Sequence, residues 1–110
     1  MKKHLLFVCS SNLDRSPCAE ELFKGSNEYE AKSCGINPQS KVKVSKEIIE
    51  WADIIFCMGY EHKEFIYDNF PRMFNEKEVI VLEIPDTYVK NNPKLKELLK
   101  DRLKECFLND

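Results

Sequence analysis

The stretch Val8-Cys9-Ser10-Ser11-Asn12-Leu13-Asp14-Arg15-Ser16-Pro17 constrains this chain more than any other, because it sets a cysteine and an arginine at the two ends of one short polar loop. The run His4-Leu5-Leu6-Phe7-Val8 before it has the length and content of a buried strand. Ser16-Pro17 after it predicts a helix start, with Ser16 as cap and Pro17 at the first helical position. A strand, a tight loop and a helix N-terminus in that order aim backbone N–H groups and the positive end of the helix dipole at one point, which suits an oxyanion. The same field favours a thiolate, so Cys9 is a candidate attacking group. Arg15 adds a permanent positive charge whose planar fork can grip two oxygens of a phosphoryl group. Ser16 is placed to hydrogen-bond the thiolate and ease its later departure.

The rest of the chain alternates strand and helix signals. Ala19, Leu22 and Phe23 mark one face of a helix ending near Gly25, and Tyr29 to Cys34 reads as a second strand. Ser45 can cap a second helix carrying Ile48, Ile49, Trp51 and Ala52. The continuous run Asp53 to Gly59 is a third strand, apolar enough to be covered on both faces. Tyr60 to Phe70 follows as a helix stopped by Pro71. Val79 to Leu82 is the fourth strand, Glu83 to Tyr88 a non-helical connection, and Asn92-Pro93 opens an amphipathic last helix. Four strands alternating with four helices imply an α/β domain with a parallel sheet and right-handed crossovers.

At 110 residues the chain is expected to be a single domain spanning 1–110. A net charge of −2 leaves no electrostatic footprint for nucleic acid or an anionic membrane. No stretch approaches a membrane span, and the start Met1-Lys2-Lys3-His4 before Leu5 is too short for a signal peptide, so a cytoplasmic protein is expected. Five cysteines without paired Cys-x-x-Cys spacing argue for reduced thiols. His4 and His62 stand alone, so no metal site is expected.

Cys-x5-Arg-Ser placed on the first strand and followed by Pro17 resembles the low-molecular-weight protein tyrosine phosphatase family, and in particular its short branch. The resemblance implies a doubly wound four-stranded parallel sheet in the order 2-1-3-4, with the Cys9 loop at the carboxyl edge. Ser33-Cys34-Gly35 is similar to the family's Ser-Ala-Gly segment, which makes Cys34 a packing residue. Asp86-Thr87-Tyr88 resembles the family's Asp-Pro-Tyr acid loop, with Thr87 in place of the proline. That implies Cys9, Arg15 and Asp86 as catalytic residues, with Asp86 as general acid and then base. Ser10, Ser11, Asn12, Leu13, Asp14 and Ser16 would form the anion cradle and Tyr88 the aromatic side of the substrate cleft, unless Tyr88 is a half-buried packing ring. Asn12 is expected to adopt a left-handed backbone conformation or to buttress the loop. Asp14 stands where many family members carry a second cysteine, and an outward, solvated carboxylate is the expected reading. The segment Ile36 to Val44 is shorter than the family's substrate wall.

The implied reaction is hydrolysis of a phosphomonoester through phosphocysteine, without cofactor or metal. Its substrate would be a phosphotyrosine protein or a small phosphoester, its product inorganic phosphate, and the enzyme a monomer. Two rivals stay open. A thiol-linked arsenate reductase would use the same cradle, although neither Cys57 nor Cys106 has a sequence partner suited to a shuttle. A phosphate- or phosphotyrosine-binding protein without turnover would explain Asp14, Thr87 and the short segment.

Overall fold

The computed structural model of the protein describes residues 2–108. Its four strands, β1 (Lys3–Cys9), β2 (Tyr29–Gly35), β3 (Ile54–Cys57) and β4 (Glu78–Val81), form one parallel sheet in the order β2-β1-β3-β4. The strand order is the expected one. β1 is central, pairing with β2 along Lys3 to Cys9 and with β3 along Leu5 to Val8.

Side chains alternate across β1 with the period of two that a strand imposes, and so divide the core between the two faces of the sheet. Leu5, Phe7 and Cys9 join a cluster with Cys18, Ala19, Phe56, Leu95 and Leu99. It lies under α1 (Arg15–Glu21) and α5 (Pro93–Leu108). Leu6 and Val8 join the opposite cluster with Ile49, Ile55, Cys57 and Ile66, which lies under α2 (Lys46–Trp51) and α3 (Tyr60–Asn69). Phe7 stacks on Phe56 with centroids 5.2 Å apart. Completely burying a side chain of this kind contributes about 1.5–3 kcal/mol. A sheet so covered on both faces explains why β1 and β3 read as unbroken apolar runs.

Two local expectations are corrected. Pro71 ends α3 but also opens a further short helix, α4 (Pro71–Glu76), so five helices are present among the described residues where four were expected. A proline lacks only an N–H that the first helical turn leaves unpaired, so it starts a helix as readily as it stops one. The N-cap of α1 is Asp14 rather than Ser16, which places Ser16 and Pro17 inside the first turn. Ser45, by contrast, is the cap of α2 as expected, its hydroxyl accepting the Ile48 N–H at 3.3 Å.

The chain leaves β1 for β2 on one side, while β3 lies on the other. Connections that diverge in this way open a crevice beyond the carboxyl ends of the strands. Cys9 ends β1 at that crevice, Met58-Gly59 leave β3 beside it, and the chain after β4 returns over it.

Candidate active site

β1 ends on Cys9, which is only 3% exposed. The chain then turns sharply through Asn12, whose φ of 57° lies in the left-handed region that Asn tolerates better than most residues. This turn brings the Asn12 N–H to 3.2 Å from Cys9 Sγ. Ser16, in the first turn of α1, brings its Oγ to 3.0 Å from the same sulfur. The Ser16 hydroxyl also lies 3.3 Å from the Cys34 carbonyl and accepts from Asn12 Nδ2 at 3.0 Å. A hydroxyl has one proton. When Cys9 is a thiolate that proton has a charged acceptor at Sγ, and the charge-assisted bond is the stronger one.

Asn12 is a brace behind the loop. Its Nδ2 donates to Ser33 Oγ at 2.9 Å as well as to Ser16, and its Oδ1 accepts the Val42 N–H at 3.1 Å. The short segment 36–44 props the loop. The N–H groups of Ile36 and Asn37 donate to the carbonyls of Cys9 and Ser10 at 3.1 and 2.9 Å. Asn37 Nδ2 donates to Ser11 Oγ at 2.9 Å, and the Ser40 hydroxyl donates to the Ser10 carbonyl at 3.1 Å. Gly35 is needed for this fit, since a Cβ there would stand 2.8 Å from the Ser10 carbonyl oxygen and 2.9 Å from the Asn12 nitrogen.

Arg15 is buried, and each nitrogen of its guanidinium has a neighbour. Nη1 donates to the Ile84 carbonyl at 2.9 Å, Nη2 to Ser10 Oγ at 3.3 Å, and Nε lies 3.6 Å from Asp86 Oδ1. Cys9, Ser10, Ser11, Leu13, Asp14, Arg15 and Asp86 together line a cleft of about 170 Å³. Asp86 is largely exposed at its edge, with 67% of its side chain accessible, while Leu13 presents an apolar, exposed side chain. Tyr88 is half-buried against the cluster under α1 and α5 and is not among the residues lining this cleft. Asp14 is not simply solvated, because its Oδ1 accepts the Lys90 N–H at 2.9 Å.

His62 is a participant that the sequence did not point to. It is fully buried near the start of α3, where Nδ1 accepts the Gly59 N–H at 2.9 Å. That bond assigns the proton to Nε2, which donates to Ser10 Oγ at 3.0 Å. With His62 and Arg15 both donating to its oxygen, Ser10 has its own O–H left to direct elsewhere. Burial, and then the nearby Arg15 charge, push the His62 pKa down to about 4. The ring is therefore neutral at ordinary pH. Among the other cysteines, burial raises Cys18 and Cys34 and pushes Cys57 up to about 12. These thiols stay protonated and inert. Cys9, Cys18, Cys34 and Cys57 form no disulfide. Among the described residues no group of three or more His, Cys, Asp or Glu is disposed to hold a metal ion, and no helix is long and apolar enough to cross a membrane.

No protein-family model matches the chain. A protein-arginine-phosphatase of Bacillus subtilis (strain 168) is 28% identical over 142 aligned positions, covering 92% of this chain and 95% of that protein. A low-molecular-weight protein tyrosine phosphatase from Streptococcus pyogenes superposes with a TM-score of 0.80 at 15% identity, covering 97% of this chain and 92% of that one. An arginine phosphatase from Geobacillus stearothermophilus gives a TM-score of 0.70 at 24% identity, covering 97% and 94% of the two chains. The chain thus has the fold of the low-molecular-weight protein tyrosine phosphatases, the family its loop motif resembles.

Proposed function

We propose that the chain is a cysteine-dependent phosphomonoesterase acting on phosphotyrosine in proteins. The observation that carries the proposal is the meeting, in one cleft, of Cys9 with Arg15 and Asp86, the sulfur having Ser16 Oγ at 3.0 Å and the Asn12 N–H at 3.2 Å. A thiolate so supplied with donors is a good attacking group and a good leaving group. In the first step Cys9 Sγ attacks phosphorus, the bond to the substrate oxygen breaks, and Asp86 delivers its proton to that oxygen. In the second, water attacks the phosphocysteine, Asp86 takes a proton from it, and the sulfur departs as a thiolate held by Ser16 and Asn12. The Ser10 O–H and the Arg15 guanidinium serve the charge on the phosphoryl oxygens.

The exposed Leu13 at the cleft supports an aromatic leaving group, since it offers a ring an apolar surface beside the sulfur. A second reading, hydrolysis of phosphoarginine, is favoured by the relatives named as arginine phosphatases and by the Asp14 and Asp86 carboxylates lining the same cleft. Those carboxylates would complement a guanidinium. The buried, protonated Cys57 argues against a thiol relay of the arsenate-reductase kind.

Release of inorganic phosphate from phenyl phosphate and from peptides carrying phosphotyrosine or phosphoarginine tests the proposal. Turnover of the phosphotyrosine peptide and its loss in Cys9→Ser are expected, because a serine hydroxyl in the cradle cannot replace the thiolate. Turnover of the phosphoarginine peptide alone would transfer the assignment to the second reading. Binding of phosphopeptides without turnover would identify a reader instead.

A further inference from the structure

The two residues that close the cradle also hold the segment carrying the proposed acid. The Arg15 guanidinium donates to the Ile84 carbonyl at 2.9 Å, and the Asp14 carboxylate accepts the Lys90 N–H at 2.9 Å. Asp86 lies between these two anchors. Glu83 and Asn91, which flank them, both turn the backbone through positive φ, at 55° and 70°. The Lys90 ammonium adds a third tie, lying 3.0 Å from Glu21 on α1.

Asp14 is notable for what its side chain leaves undone. It occupies the N-cap position of α1, where an aspartate ordinarily accepts an N–H from the first helical turn, yet it makes no such bond. Its carboxylate crosses to a residue 76 positions away instead. The same chain has threonine at position 87, where the related acid-loop pattern has a proline that would fix the backbone from within.

We infer that Asp14 is a positioning residue: its carboxylate latches the Lys90 backbone and so holds the Asp86 segment over Cys9, supplying from outside the rigidity that Thr87 does not supply. The inference rests on the reading of Asp86 as the general acid. A group that delivers a proton in the transition state must sit within about 3 Å of the oxygen it serves, and small misplacements of such groups are costly. A latch at Lys90 and a clamp at Ile84 confine Asp86 from both sides. Asn retains an oxygen that can accept the Lys90 N–H, and Ala does not.

Asp14→Ala, Asp14→Asn and Asp86→Asn are compared with the parent on phenyl phosphate and on an aryl phosphate whose phenol is strongly acidic. Asp14→Ala should lose about 10-fold in kcat on phenyl phosphate, and far less in the burst of phenol release from the activated ester. Asp14→Asn should recover most of that loss. Amide hydrogen exchange gives a readout independent of turnover: the Lys90 amide should be protected in the parent and in Asp14→Asn, and exposed in Asp14→Ala. A Lys90 amide that exchanges in the parent as freely as that of Val89 overturns the latch whatever the activities. A leaving-group-dependent loss in Asp86→Asn with none in Asp14→Ala overturns the positioning role while leaving the acid assignment standing. Equal slowing of both substrates in Asp86→Asn overturns that assignment and the positioning role with it.

Discussion

The cradle and the acid segment meet at one cleft but are built by different means. Between Cys9 and Ser16 the chain is cross-braced, with Cys9, Asn12, Arg15 and Ser16 buried: Asn12 alone contacts Ser16, Ser33 and Val42, and Ser10 has bonds from α3, from Arg15 and from the 36–44 segment. From Pro85 to Val89 the chain is mostly exposed, and Asp86 has the Arg15 guanidinium at 3.6 Å as its ionic neighbour among the described residues. The proposed reaction is thereby divided by rigidity. Attack on phosphorus and stabilisation of its oxygens fall to a preorganised site, while proton delivery falls to a segment held at its two ends.

This contrast is open to direct test. If the division is right, damage to the acid segment shows itself through the leaving group, and damage to the cradle does not. The largest effect is expected from Asp86→Asn, with a loss on the order of 10²-fold or more on phenyl phosphate, as for removal of a positioned general acid. Equal slowing of phenyl phosphate and of an activated aryl phosphate would make Asp86 one more structural element. Ser16→Ala should cost less, about 10-fold, by removing a donor to the departing sulfur, and should do so whatever the leaving group. Rapid-mixing measurements should then show phosphocysteine accumulating after an undiminished burst. A loss confined to poor leaving groups would put Ser16 on the wrong side of the division.

The smallest effect on turnover is expected at His62, whose consequence lies in stability. The folded state holds this ring neutral, with its pKa near 4 against the ordinary 6.5, whereas the unfolded chain is free to protonate it. Below pH 6.5 the unfolded state therefore binds more protons, and the contribution to stability is lost as the pH falls towards about 4. The loss is on the order of 3 kcal/mol, at about 1.4 kcal/mol per pH unit of displacement. His62→Asn keeps an acceptor for the Gly59 N–H but has nothing to titrate, so its denaturant midpoint should fall less steeply over this range than the parent's. Parallel slopes would show that His62 contributes nothing to acid sensitivity.

What could be read from the sequence was local, and what could not was long-range or ambiguous in sign. The alternation of strands and helices followed from apolar runs separated by helical spacing, and the sheet order from right-handed crossovers and the resemblance that the loop motif carries. Pro71 defeated the reading because the same ring that ends one helix begins another. Ser16 carried two plausible signals, cap and thiol partner, and Asp14 took the cap position while spending its carboxylate on Lys90. His62 looked solitary because its partner, Ser10, lies 52 residues away. A histidine three residues after Gly59 at a helix start was the available signal, and the Gly59 N–H to Nδ1 bond is its structural meaning. Tyr88 could be read either as lining the cleft or as a packing ring, and the fold packs it against the core cluster.

The bracing of the cradle also bears on when the site comes into being. Its bonds join residues 18, 21, 30, 52 and 69 positions apart, linking the Cys9 loop in turn to β2, to the 36–44 segment, to α3 and to the chain after β4. Closing loops of that length carries an entropic cost that local helix formation does not, so such contacts form late on the folding path. A chain emerging during synthesis displays Cys9 well before Ile84, and it cannot complete the Arg15 clamp until Ile84 has docked. Until then the sulfur sits on an unassembled loop, without its Ser16 and Asn12 donors in place. Recovery of activity is thus a stringent clock for folding, and it should run no faster than the docking of the last strand and the segment that follows it.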